Sequence, residues 1–136
     1  MRYMLLIYEA EATTDAPVSP EALAASYAAH GAYYGEVAQR GILQLAERLR
    51  PTALATTVRI QAGQVLVTDG PFAETKERLG GINIFECKDL DEAIDLAARF
   101  PTVASGHGIM EIRPIWEANE SETRMMQAGS PSGPGA

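Results

Sequence analysis

The 136-residue sequence predicts an α+β protein with a ferredoxin-like arrangement: a βαβ unit, a hairpin and a second βαβ unit build one antiparallel sheet with both helices on one face. Three observations lead there. Short apolar runs at 2–8, 42–49, 82–87 and 109–116 are rich in strand formers. Two stretches with helical spacing and clear start signals fall between them. Between the two halves, Ala62-Gly63 separates a pair of alternating segments.

In the first run, Tyr3, Leu5 and Ile7 point one way and Met4, Leu6 and Tyr8 the other, so a strand covered on both sides is expected. An acidic loop containing Pro17 follows, up to residue 18. Ser19 as N-cap and Pro20 at the first helical position then start a helix. Its stripe is Leu23, Tyr27, His30, Tyr34 and Val37, and Gly41 ends it as a C′ glycine. The stripe therefore carries a histidine where a hydrophobe is expected.

Ile42–Leu49 reads as a strand broken by Pro51. Thr56–Gln61 and Gln64–Thr68 form the hairpin, with Val58 and Ile60 facing Val65 and Val67. Gly80-Gly81 opens the strand INIFEC, which is again apolar on both faces. Asp89 with Glu92 three residues on makes a capping box; the following helix presents Leu90, Ala93, Ile94, Ala97 and Phe100 inward and closes at Pro101. A Gly-rich loop holding His107 leads to the last strand, IMEIRPIW. Residues 1–116 are thus expected to form the domain. Residues 117–136, polar and then rich in Gly, Ser and Pro, are expected to be a flexible tail.

With both helices on one face, the other face of the sheet has no cover within the chain, yet its strands are apolar there. A second copy packed sheet to sheet is the simplest cover, which predicts a homodimer. A net charge of -7 argues against nucleic acid and anionic membrane surfaces as partners. No apolar run reaches the ~20 residues of a membrane span, and the N-terminal run is too short for a signal peptide. One cysteine, Cys87, excludes an intrachain disulfide framework and fits a reducing cytoplasm; its place at the end of an apolar strand marks a core thiol.

The segment Val67–Glu77, VTDGPFAETKE, carries more than a turn requires. Asp69, Gly70 and Pro71 supply the turn chemistry, while Phe72, Glu74, Lys76 and Glu77 add an aromatic ring and a concentration of charge that suit the rim of a site. His30 is the sharpest candidate for chemistry. A neutral imidazole beside a carboxylate is a competent general base, and a structural histidine bonded to a backbone carbonyl or a tyrosine hydroxyl is the other reading. Asp69 is the candidate partner, or else an Asx-turn residue that caps its own backbone. His107 and Arg113 are further candidates for holding an anion, Arg113 being also within reach of Glu111. Two histidines far apart with no close-spaced ligand pair predict no metal site, and the glycine patterns of nucleotide cofactors are absent, so no cofactor is expected.

VTDGPFAETKE, followed by the Gly-Gly strand, the capped helix and EIRPI, resembles the YCII-related family, in particular its DGPF branch, over residues 1 to about 116. The resemblance implies a dimeric α/β barrel of ferredoxin-like topology and places His30 where family members carry a histidine. In a shorter branch that histidine is paired with the aspartate of an Asp-Pro step; here the step is Phe100-Pro101, so that aspartate is missing and the pairing requires Asp69 to supply the carboxylate. One relative is a dehydrochlorinase acting on a chlorinated hydroxyquinol, and some relatives are associated with extracytoplasmic-function sigma factors.

Two readings follow. In the first, His30 is acid or base, Asp69 orients it, and Pro71, Phe72, Glu74, Lys76, His107 and Arg113 contact a small anionic substrate in a proton abstraction or elimination of the lyase type. It requires His30 and Asp69 near hydrogen-bonding distance in a pocket with apolar walls. The alternative is a ligand-binding or regulatory module without chemistry, with a cavity or partner surface and His30 held by a backbone carbonyl.

Overall fold

Tyr3, Leu5 and Ile7 alternate with Met4, Leu6 and Tyr8, and that period of two sets the central strand β1 (Arg2–Glu9), whose first set is buried. The computed structural model describes residues 1–11, 18–117 and 119–129. β1 is followed by helix α1 (Pro20–Gln39), β2 (Leu43–Arg48), a 3₁₀ turn (Thr52–Leu54), β3 (Thr56–Gln61), β4 (Gln64–Asp69), β5 (Arg78–Glu86), helix α2 (Leu90–Arg99), a single helical turn α3 (Pro101–Ala104), β6 (Gly108–Pro114) and helix α4 (Glu120–Ala128).

The main sheet has the order β2-β5-β1-β6, and all its pairings are antiparallel. β1 and β2 therefore run parallel with β5 between them, as do β5 and β6 with β1 between them, which is the split βαβ pattern of a ferredoxin-like sheet. The hairpin β3–β4 pairs only with itself and stands outside that sheet as an insertion between β2 and β5. Its turn has positive φ at Ala62 (50°) and Gly63 (74°), the two-residue geometry whose twist suits a hairpin. Val58 pairs with Val67 and Ile60 with Val65, as expected, but all four side chains are exposed.

Local signals set the helix ends. Ser19 Oγ accepts the Ala22 N–H at 3.1 Å. At the other end Gly41, with φ of 71°, donates to the Ala38 carbonyl and Ile42 to the Val37 carbonyl, so a Schellman motif ends α1 and turns directly into β2. Asp89 Oδ1 accepts the Glu92 N–H at 2.9 Å, while the Glu92 carboxylate reaches the Lys88 N–H at 3.4 Å. Phe100 is extended (ψ 127°), because Pro101 disfavours helical geometry in the residue before it.

The core lies between the helices and one sheet face: Tyr3, Leu5, Phe85, Cys87, Val37, Tyr33, Ala93, Leu96, Ala97 and Phe100 are buried. Two expectations are corrected. On α2 the inner face is Ala93, Leu96, Ala97 and Phe100, at spacings of three, one and three; Leu90 and Ile94 fall a third of a turn away and are about half exposed. On α1 only the C-terminal half of the stripe is in the core, since Leu23 and Tyr27 overhang a cavity. Beyond the last strand, Glu120–Ala128 form α4, consistent with the helix-forming Glu, Arg, Met, Gln and Ala in that segment. Residues 12–17 of the acidic loop and 130–136 of the tail lie outside the described residues.

The second sheet face has Met4, Leu6, Tyr8, Leu45, Ile82 and Ile84 in register across three strands, all partly exposed in the single chain. No helix among the described residues is long and apolar enough to cross a membrane.

Candidate functional site

The cavity lies on the helix side of the sheet, between the N-terminal half of α1 and the ends of β1, β2 and β5, with a volume of about 520 Å³. That is the size of an ordinary small-molecule pocket. Leu23, Tyr27, Tyr34, Ile7 and Phe100 give it apolar walls; Ser26, His30, Thr102, Glu9, Glu47 and Arg48 are its polar lining residues, and Gly80-Gly81 of β5 form part of its floor.

His30 is half-buried and held on three sides. It sits one helical turn after Ser26, so its Nδ1 reaches the Ser26 carbonyl at 2.8 Å. A carbonyl oxygen only accepts, so Nδ1 carries the proton and Nε2 keeps its lone pair in the neutral ring. Nε2 faces Thr102 Oγ1 at 3.3 Å. The imidazole also packs edge-on against Phe100, with ring centroids 5.3 Å apart. Pro101 is the local cause of both contacts: it forces Phe100 out of the helix and starts α3, which brings Thr102 under the imidazole.

A second polar pair joins the cavity wall at Tyr34 to the buried Asn83. The Tyr34 hydroxyl donates to Asn83 Oδ1 at 2.9 Å, and burial pushes the Tyr34 phenol above its usual pKa. Asn83 is wholly buried, and its Nδ2 has no partner among the described residues. Tyr33, one residue earlier, donates to the Leu96 carbonyl at 2.8 Å and ties α1 to the last turn of α2, where that carbonyl would otherwise be unpaired.

The other candidates read from the sequence lie elsewhere. Asp69 ends β4 opposite Thr56, is exposed and does not border the cavity, so no His30–Asp69 contact exists within the chain. The orienting group expected of Asp69 is the Ser26 carbonyl instead. The Asp-Gly-Pro turn is held from within the hairpin: Gly70 donates to the Ala55 carbonyl at 2.7 Å, and Thr57 donates to the Gly70 carbonyl at 2.8 Å. Pro71 is partly buried, whereas Phe72 (81% exposed), Glu74 and Lys76 face outward. His107 is exposed, with Nδ1 2.9 Å from Ser105 Oγ. Arg113 pairs with Glu111 on an edge strand. None of these lines the cavity.

Several residues that border it went unnoticed in the sequence: Ser26, Thr102, Glu9, Arg48 and the glycine pair. Gly80 and Gly81 did carry a signal, being two adjacent glycines inside a strand pattern. A Cβ on Gly80 would lie 2.8 Å from Glu9 Oε1, and one on Gly81 2.8 Å from the Glu47 carbonyl oxygen. Among the described residues no cluster of three or more His, Cys, Asp or Glu side chains is placed to hold a metal ion.

A ferredoxin-like α+β protein with a cavity beneath its first helix is thus the class that fold and site define. The chain belongs to the YCII-related family, whose domain matches residues 1–119. It is 38% identical over 117 residues to an uncharacterized protein of Rhizobium meliloti (strain 1021), an alignment covering 85% of this chain and 92% of that one. Among solved structures, it matches the 5-chloro-2-hydroxyhydroquinone dehydrochlorinase of Burkholderia phenoliruptrix AC1100, in complex with 2,5-dihydroxybenzoquinone, at a TM-score of 0.44 and 20% identity, over 87% of this chain and 97% of that one.

Proposed function

We propose that the chain binds a small organic molecule in the cavity beneath α1 and that His30 transfers a proton to or from it. The observation that carries this reading is the imidazole itself. Its Nδ1–H is fixed on the Ser26 carbonyl, so its Nε2 lone pair faces the Thr102 hydroxyl on the lining of a pocket with apolar walls. A neutral Nε2 can take a proton from an acidic C–H or O–H, while the Ser26 carbonyl continues to hold Nδ1–H. The Thr102 hydroxyl at 3.3 Å is a long hydrogen bond that an incoming ligand can replace. Proton abstraction, with or without loss of a leaving group, is the reaction class.

A second reading, a binding or regulatory module without chemistry, has one specific observation in its favour: among the described residues no carboxylate contacts His30, and a backbone carbonyl holds its Nδ1. A thermal-shift screen of metabolites, followed by incubation of the hits in deuterium oxide, separates the two. Solvent deuterium entering a hit with the parent and not with His30→Gln supports proton transfer. Hits that bind and exchange no hydrogen leave the binding module.

The functional unit in this reading is a homodimer joined through the open sheet face, as in a dimeric α/β barrel. The support is the unpartnered apolar register of Met4, Leu6, Leu45, Ile82 and Ile84. Light scattering at the mass of one chain refutes it.

A further inference from the structure

Next to the cavity beneath α1 lies a second one, of about 300 Å³, and the two share Glu9, Arg48 and Gly80 along their common border. The second cavity adds Arg50, Arg78 and Glu11. Arg78 is already committed: it pairs with Glu11 at 2.9 Å and contacts the Thr52 hydroxyl, while Glu11 also accepts the Thr52 N–H. Arg48 and Arg50 have no carboxylate partner among the described residues, whereas Arg2, Arg40, Arg78, Arg99 and Arg113 each have one. Two residues apart at the end of β2, both border the second cavity, and Arg48 borders the first as well.

From this placement we infer that the two cavities are one elongated site for an organic acid, whose anionic group is held by Arg48 and Arg50 while its apolar body lies under α1 against Leu23, Tyr27 and Phe100. The inference rests on the cavity being a small-molecule site, as proposed above, and does not need His30 to do chemistry. Four features support it. In a chain of net charge -7, Arg48 and Arg50 are guanidiniums without a carboxylate partner on the lining of the cavities, beside the carboxylates of Glu9 and Glu47, and they offer an anion its direct partners there. A guanidinium offers a fork of donors matched to a carboxylate or phosphate, and a second one nearby fixes the orientation of the anion. Arg48 pairs in register with Gly81, a lining residue that puts no side chain of its own beside the Arg48 stem. Glu9, the one carboxylate shared by both cavities, penalises a second negative charge on the ligand and can accept a hydrogen bond from a ligand hydroxyl. The site therefore suits a monoanionic acid carrying a hydroxyl group better than a dianion.

The test uses the full chain and follows the arginine Nε–H resonances by NMR during titration with mandelate, phenylacetate, phenyl phosphate and the neutral phenylacetamide. The expected result is that mandelate and phenylacetate shift the Arg48 and Arg50 signals and that phenylacetamide does not. Phenyl phosphate binding more tightly than the carboxylates would identify a phosphate ester as the source of the anion and overturn the preference assigned to Glu9. The double variant R48Q/R50Q should weaken carboxylate binding by about tenfold or more, the loss of charge-assisted hydrogen bonds. Arg59→Gln, on the outlying hairpin, should change it by less than about twofold. Raised salt should weaken binding in the parent and much less in R48Q/R50Q. Equal affinity for acid and amide, an unchanged R48Q/R50Q, or no binding of any acid at millimolar concentration overturns the inference. Carboxylate binding without deuterium exchange removes only the proton-transfer reading.

Discussion

Adjacent glycines in β5 provide an internally controlled test of how the floor of the cavity is built. In Gly81→Ala the new Cβ meets the Glu47 carbonyl oxygen at 2.8 Å, about 0.6 Å inside ordinary contact, with Ile7 Cδ1 at 3.4 Å and Arg48 Cα at 3.7 Å behind it. The nearest obstacle is backbone of the neighbouring strand, so β2 has to move away. Overpacking of this kind costs about 1–3 kcal/mol. Loss of glycine freedom in the unfolded chain offsets about 0.4–1 kcal/mol of that. In Gly80→Ala the Cβ meets Glu9 Oε1, also at 2.8 Å, but this is the far end of a flexible, partly exposed side chain that can swing aside. The expected outcome is Gly80→Ala within about 0.5 kcal/mol of the parent, and Gly81→Ala less stable by roughly 1–2 kcal/mol once the offset of the lost glycine freedom is included. Urea unfolding followed by circular dichroism measures both, provided that the m-values agree. Gly80→Ala should also alter organic-acid binding through the displaced Glu9. If Gly81→Ala is as stable as the parent, or Gly80→Ala is the weaker of the two, the close approach of β2 and β5 is not what those glycines serve.

Tyr34→Phe leaves the buried Asn83 amide with neither end paired and should cost about 1–3 kcal/mol; the double variant with Asn83→Leu should recover most of it in the same urea assay. Burial pushes the Cys87 thiol up to about 11, so Ellman's reagent at neutral pH should label it only in denaturant, and rapid labelling of the folded protein would contradict its place in the core. The Thr52 N–H, then the Thr52 hydroxyl and Arg78, hold the Glu11 carboxyl below its usual 4.5. A depressed folded-state pKa means that this contribution to stability is present above pH 4.5 and is lost as pH falls through the folded value. The acid-unfolding curve of Glu11→Gln should therefore be flatter than that of the parent below that pH, and parallel curves would refute the linkage.

The features most legible in the sequence were those set by neighbours along the chain. Ser19-Pro20, Gly41, Ala62-Gly63, Asp89 with Glu92 and Pro101 each act within about four residues, and each fixes the turn or cap expected of it. Periodicity carried less: it grouped Leu23 and Tyr27 with Val37 on one stripe but could not reveal that the sheet recedes beneath the first two and leaves a cavity. The partners of His30 were hidden for two different reasons. Ser26 contributes a backbone carbonyl, a group that every residue has and that no sequence pattern marks. Thr102 lies 72 positions away and is brought in by the Phe100-Pro101 step. Turn chemistry, an aromatic ring and a concentration of charge drew attention to VTDGPFAETKE, yet that segment lines neither cavity, while the less conspicuous ERLR at 47–50 borders both.

The outlying hairpin makes the chain uneven in its resistance to opening. Its two strands give backbone hydrogen bonds only to each other, its apolar side chains face outward, and Gly70 fastens its base to Ala55. A two-stranded ribbon with so little behind it opens at a small fraction of the cost of the whole domain. Its amides should exchange with solvent long before those of β1 and β5, and the tip at Ala62-Gly63 is where a reporter dye or foreign loop can be grafted without disturbing the imidazole and its pocket.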